Sequence, residues 1–103
     1  MNEEEQDEIF NEAVNRFLDQ KWNERFQHPE IIPLQKQADQ MEERAEQASA
    51  RGDANARALA DQWWEFSERV ADRAEQLYFE ADYAHQAEVY AEGVVQRYLK
   101  ESR

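Results

Sequence analysis

The chain has 103 residues, of which 24 are acidic and 12 basic, giving a formal charge of −12. That length supports one domain. Because cysteine is absent, disulfides, thiolate metal sites and cysteine nucleophiles are excluded. The acidic excess opposes direct binding to nucleic acid or to an anionic membrane surface. No stretch has the length and apolarity of a membrane span, and the acidic start has no secretion-leader pattern, so we expect a cytoplasmic protein.

The content of large aliphatic side chains is low for a folded domain. Leu, Ile, Val and Phe total 18 residues, a composition shared with disordered chains of high charge. Twelve aromatic residues and fifteen alanines offset this deficit, because aromatic side chains bury large areas and alanine is the best helix former. We therefore expect a folded helical protein whose thin core gains part of its stability by association with another chain.

A first helix is predicted over residues 3–27. Asn2 is suited to cap it, and acidic residues fill its first turn, where the helix dipole favours negative charge. Pro29 disfavours helical geometry at His28, so the helix ends near Gln27. Its apolar residues recur at intervals of three and four and predict one buried stripe: Ile9, Phe10, Ala13, Val14, Phe17, Leu18, Trp22 and Phe26.

Two further helices are predicted over residues 33–51 and 54–100. Pro33 suits the first turn of a helix, Gly52 can adopt the left-handed conformation that ends one, and Asp53 can cap the next. The pattern therefore predicts a helical hairpin. Its seam pairs Leu34, Ala38, Met41, Ala45 and Ala48 with Leu59, Trp63, Phe66, Val70 and Leu77.

The third helix is predicted to be longer than its hairpin partner. No proline interrupts residues 54–100, so the helix would extend for about 70 Å. Between residues 77 and 99 its apolar side chains spread around most of the circumference, which is typical of a helix buried on several sides. We expect the first helix to cover one face and a second copy of the chain to cover another, giving a homodimer or a dimer of dimers.

The interaction residues predicted from this pattern are aromatic or apolar. They are Trp63, Trp64, Tyr78, Tyr83, Tyr90, Val94 and Tyr98. The adjacent tryptophans point about 100° apart on a helix, so only one can fill the hairpin seam. The other packs elsewhere in the assembly or anchors a partner protein.

A pattern of acidic residues crosses the hairpin, with Glu42, Glu43 and Glu46 before the turn and Asp61 after it. Together with Trp22, Phe26, His28 and Pro29 upstream, it resembles the MazG-type all-α nucleotide pyrophosphohydrolases over residues 22–66. The resemblance implies that Glu42, Glu43, Glu46 and Asp61 hold Mg²⁺ against the phosphates of a nucleoside triphosphate. Carboxylates suit such a hard cation. Ala58, three residues before Asp61, stands where the family has a glutamate.

Two other acidic patterns have alternative interpretations. Asp82, His85 and Glu88 are spaced three apart, as in half of a carboxylate-bridged metal site or as a polar strip at a subunit edge. An acidic row along the third helix either mimics a phosphate backbone or is an ordinary solvated face.

We expect a non-enzymatic, all-α, homo-oligomeric interaction module, acting as an adaptor or inhibitor. It would need no cofactor and would bind itself and a basic protein. The alternative is a Mg²⁺-dependent, MazG-like nucleoside triphosphate pyrophosphohydrolase with an incomplete carboxylate site.

Overall fold

The computed structural model describes residues 2–101, and these residues form helices and connecting turns without a β-strand. The elements are α1 (Glu3–Asn23), a 3₁₀ turn (Arg25–Gln27), α2 (Ile31–Ala50), α3 (Ala56–Ala81) and α4 (Ala84–Glu101). The predicted all-α fold class is confirmed. None of the described helices combines the length and apolarity needed to cross a membrane.

The helix boundaries follow local capping chemistry. The Asn2 side chain accepts a hydrogen bond of 2.8 Å from the Glu5 backbone N–H, as predicted for the α1 N-cap. Gly52 has a φ of +68°, as predicted for the end of α2. Several boundaries differ from expectation. The first helix ends at Asn23 rather than near Gln27, and a separate 3₁₀ turn occupies residues 25–27 before Pro29. In addition, α2 spans Ile31–Ala50 rather than residues 33–51, and α3 begins at Ala56 rather than residue 54. The Asp53 carboxylate instead accepts from the Asn55 N–H within the turn.

The prediction of one continuous helix over residues 54–100 is wrong. The chain leaves the helix at Asp82, whose φ is +48°, and α4 starts at Ala84. Aspartate tolerates the left-handed region better than most residues with a Cβ. The nominal rod is therefore two helices of 26 and 18 residues.

The described residues divide into two compact units. We call residues 2–24 with 78–101 the terminal unit and residues 25–77 the hairpin unit. In the terminal unit α1 packs against α4, and Ala13, Ala87 and Ala91 are buried. The expected packing of the first helix on the C-terminal segment is confirmed. The prediction of one domain over residues 1–103 is not tested by this division and stays a prediction.

In the hairpin unit the buried core consists of Ile31, Val70 and Ala74. Four partly buried side chains pack against it: Phe26, Leu34, Phe66 and Leu77. Ala38, Ala45 and Ala48 on α2 are also buried, so the predicted α2 stripe faces inward.

Within the hairpin unit, an ion pair joins Glu30, just before α2, to Arg73 on α3. The Arg73 guanidinium donates hydrogen bonds of 3.0 and 3.1 Å to the two carboxylate oxygens of Glu30. These hydrogen bonds lower the pKa of Glu30 below its ordinary value. Desolvation opposes this effect, and the electrostatic interactions of Glu30 with Arg73 and His28 lower the pKa further.

We expect Ile31→Ala to lower the free energy of unfolding by about 2–5 kcal/mol, because the side chain is fully buried and a cavity would remain. The neighbouring Ile32 is 43% exposed, and Ile32→Ala should change the free energy of unfolding by about 0.5 kcal/mol or less. Urea denaturation followed by circular dichroism measures both. Equal losses of unfolding free energy in Ile31→Ala and Ile32→Ala would contradict the assignment of Ile31 to the core.

We expect Glu30→Gln to destabilise the protein at neutral pH but not in strong acid. The folded-state pKa of Glu30 is lowered, so its stabilisation is complete above the unfolded-state pKa and disappears as the pH falls through the folded-state value. Urea denaturation across an acidic pH series measures this. Glu75→Gln is the control, since Glu75 is exposed and forms no ion pair among the described residues. A pH-independent difference between Glu30→Gln and wild type would contradict the assignment.

Candidate interaction surfaces

Six aromatic rings form a continuous network in the terminal unit, which we call the aromatic strip: Phe17, Trp22, Tyr78, Phe79, Tyr83 and Tyr90. Ring centroids lie 5.5 Å apart for Phe17 and Tyr90, and 6.3 Å apart for Phe17 and Tyr83. Tyr78 links Tyr83 at 5.7 Å to Trp22 at 5.1 Å. These are favourable separations for aromatic pairs, so each ring is held in place by another.

The strip exposes aromatic surface at both ends. Phe79 is 64% exposed and Tyr90 is 38% exposed, whereas the four other rings are half-buried. Phe79 also contacts Trp22 and Tyr78, with centroids 6.3 and 5.2 Å away. The strip therefore presents large apolar rings to solvent on a supported base.

The charge around the aromatic strip is mostly negative. Lys21 places its Nζ 5.5 Å from the ring centroids of both Phe17 and Tyr83, and the same Nζ lies 4.0 Å from a carboxylate oxygen of Glu24. Glu80 and Asp82 follow the strip residues in sequence and are exposed. Residues 1–24 and 78–103 contain 13 acidic and five basic side chains, a formal charge of −8.

The predicted interaction residues fall into two groups. Tyr78, Tyr83 and Tyr90 belong to the aromatic strip, while Val94 is half-buried and Tyr98 is 48% exposed on α4. In the hairpin unit, the rings of Trp63 and Trp64 meet edge to face at 6.0 Å. Trp63 is half-buried, and Trp64 is 59% exposed.

Three members of the strip are not among the interaction residues that the sequence predicts: Phe17, Trp22 and Phe79. The sequence pattern places Phe17 and Trp22 in the apolar stripe of the first helix, and Phe79 in the apolar segment 77–99. Their spacing signals a helix face but not which aromatic rings meet across elements.

Two open grooves flank the seam between α2 and α3. One, of about 530 Å³, is lined by Lys36 and Arg44 above Met41 and Leu59; we call it the basic groove. The other, of about 450 Å³, is lined by Glu42, Glu46, Arg57, Ala60 and Trp63; we call it the acidic groove. Arg44 lies about 200° around α2 from both Glu42 and Glu46, so the grooves are on opposite flanks of the seam.

The four carboxylates implied by the MazG-type resemblance do not share one groove. Glu42 and Glu46 line the acidic groove, whereas Glu43 and Asp61 are exposed and are not among its lining residues. Asp61 lies two residues before Trp63, about 200° around the helix from this groove-lining residue. Among residues 2–101, no group of three or more His, Asp or Glu side chains is placed to hold a metal ion. Mg²⁺ binding stays a prediction of the alternative interpretation.

The other candidate cluster is also dispersed along the chain. His85 is exposed on α4, but Asp82 lies in the break before that helix, so the expected helix face is not continuous through Asp82.

No family model, curated protein or solved structure matches the chain. The surfaces described above are therefore the basis for assigning a function.

We expect Mg²⁺ or Mn²⁺ to produce the same calorimetric titration with the wild-type protein and with Glu42→Gln/Glu46→Gln. Arg57 lines the same groove as these two carboxylates, and its positive charge opposes a divalent cation there. A saturable signal lost in this variant and in Asp61→Asn, together with pyrophosphate release from nucleoside triphosphates, would instead support the MazG-like alternative.

Proposed function

We propose that the protein is a non-catalytic, acidic interaction module that self-associates and binds a basic segment of a partner protein, as an adaptor or inhibitor. The observation that carries this proposal is the aromatic strip, which exposes Phe79 and Tyr90 in the part of the chain, residues 1–24 and 78–103, that has a formal charge of −8. Aromatic residues supply much of the binding energy at protein interfaces.

The order of the strip supports a binding role. Tyr90 contacts Phe17, and Phe79 contacts Tyr78 and Trp22, so both exposed rings are already restrained. A surface that is ordered before binding loses less conformational entropy when the partner docks. Exposed aromatic area of this kind therefore favours a protein ligand that covers it.

The charge of the terminal unit supports a basic occupant. Glu80 and Asp82 are next to Phe79 and Tyr83 in the sequence, and Glu24, which pairs with Lys21, follows Trp22 by two residues. A partner helix with an apolar stripe flanked by Lys or Arg would cover the rings and place its charges toward these carboxylates. Complementary charge also accelerates association and weakens with added salt.

The negative charge of the terminal unit also disfavours self-association through that unit. If the terminal units of two copies docked together, two strongly negative regions would meet, since residues 1–24 and 78–103 have a formal charge of −8 in each copy. Such like-charge contact is unfavourable. We therefore assign the aromatic strip to a basic partner rather than to a second copy.

We expect a labelled amphipathic Leu/Lys peptide to bind the wild-type protein, with an affinity that falls as salt is raised. Phe79→Ala/Tyr90→Ala should weaken binding by about tenfold or more, because two exposed anchors are removed. Fluorescence anisotropy measures both effects.

Val89→Ala is the matched control, since Val89 is 55% exposed but lies outside the strip. A Leu/Glu peptide of the same length controls for charge. Equal binding of the Leu/Lys peptide by wild type and Phe79→Ala/Tyr90→Ala would show that only general charge attraction operates, and would reject the strip as the binding surface.

A further inference from the structure

The hairpin unit carries opposite charges on the two flanks of one helix. On α2, Lys36 and Arg44 line the basic groove, and Glu42 and Glu46 line the acidic groove. None of these four side chains forms an ion pair with another residue of the described chain. Arg57 of α3 also lines the acidic groove, which leaves that groove one carboxylate in excess, whereas the basic groove has no acidic lining residue. Each flank therefore keeps a net charge that a surface of the opposite sign can face.

We propose that two copies of the chain associate through these grooves, with the basic groove of one copy facing the acidic groove of the next. This proposal rests on the self-association in the proposed function and names its surface. Lys36 and Arg44 would face Glu42 and Glu46 of the neighbour.

Apolar surface accompanies the charges in both grooves. Met41 and Leu59 are half-buried beneath the basic groove, and Trp63 is half-buried in the acidic groove. Trp64, in ring contact with Trp63, is 59% exposed. Covering these side chains would supply hydrophobic area, while the charges would fix which flanks meet.

Charge also selects the hairpin unit over the terminal unit for contact between copies. Residues 25–77 contain 11 acidic and seven basic side chains, a formal charge of −4, compared with −8 for the rest of the chain. The repulsion due to net charge is therefore weaker between two hairpin units than between two terminal units.

The pairing is between different surfaces of the two copies. Two basic grooves facing each other would oppose Lys36 and Arg44 with like charges, so a symmetric pairing through that flank is disfavoured. Contacts between unlike surfaces generate a ring when the rotation closes and an open chain when it does not.

Two charge-reversal variants test this pairing. Lys36→Glu/Arg44→Glu makes both flanks acidic, and Glu42→Lys/Glu46→Lys makes both flanks basic. We expect wild type to self-associate in sedimentation velocity. Each variant alone should have an association constant at least about 100-fold lower, and an equimolar mixture of the two variants should recover association. Circular dichroism checks that each variant is helical.

Arg97→Glu/Lys100→Glu is the control for net charge, because it changes the formal charge as Lys36→Glu/Arg44→Glu does, but on exposed residues of α4, and it should associate like wild type. A monomeric wild type at every concentration would overturn both this pairing and the self-association in the proposed function. If wild type associates, the pairing alone is overturned by unimpaired variants, by a mixture that does not recover, or by a control that is equally impaired.

Discussion

The helices of this protein pack against one another mainly through buried alanines, and this leaves most of its larger side chains only partly covered. Seven of the nine buried hydrophobic residues that the structure describes are alanines, the exceptions being Ile31 and Val70. A buried methyl group contributes only about 0.8 kcal/mol, so the alanines add little burial energy individually. Small side chains allow helices to pack closely, and in the terminal unit Ala13 on α1 and both Ala87 and Ala91 on α4 are buried where these helices pack. The larger side chains near these alanines are less completely buried: Phe17, one helical turn after Ala13, is half-buried.

A core built largely of alanine leaves the aromatic rings of this protein only partly covered. Phe17 and Tyr90 contact each other, and neither is fully buried. The same holds in the hairpin unit, where Ala45 and Ala48 are buried while Trp63 is half-buried and Trp64 exposed. Rings that pack on one side and meet solvent on the other are typical of binding surfaces. The thin core and the candidate interaction surfaces are therefore two results of one composition.

Features fixed by neighbouring residues were predictable, and features fixed by contacts across elements were not. The Asn2 cap, the Gly52 turn and the α2 stripe depend on short spacings and agree with the structure. The break at Asp82 was missed because neither proline nor glycine marks it, and aspartate adopts a positive φ only in a minority of positions. The aromatic strip was predicted in part, through Tyr78, Tyr83 and Tyr90. Its remaining rings come from α1 and the end of α3, and spacing within one helix cannot pair them.

The formal charge of −12 describes the chain poorly as a single quantity. Along the first half of α1, residues 3–12 contain six acidic and no basic side chains, so this segment repels any like-charged surface. On α2 the two signs are separated around the helix, with Arg44 about 200° from Glu42 and Glu46. Because charges interact strongly only within about a Debye length, near 10 Å at ordinary ionic strength, an approaching surface responds to the local pattern more than to the total. An acidic chain can on this basis repel copies of itself at one unit and attract them at the other.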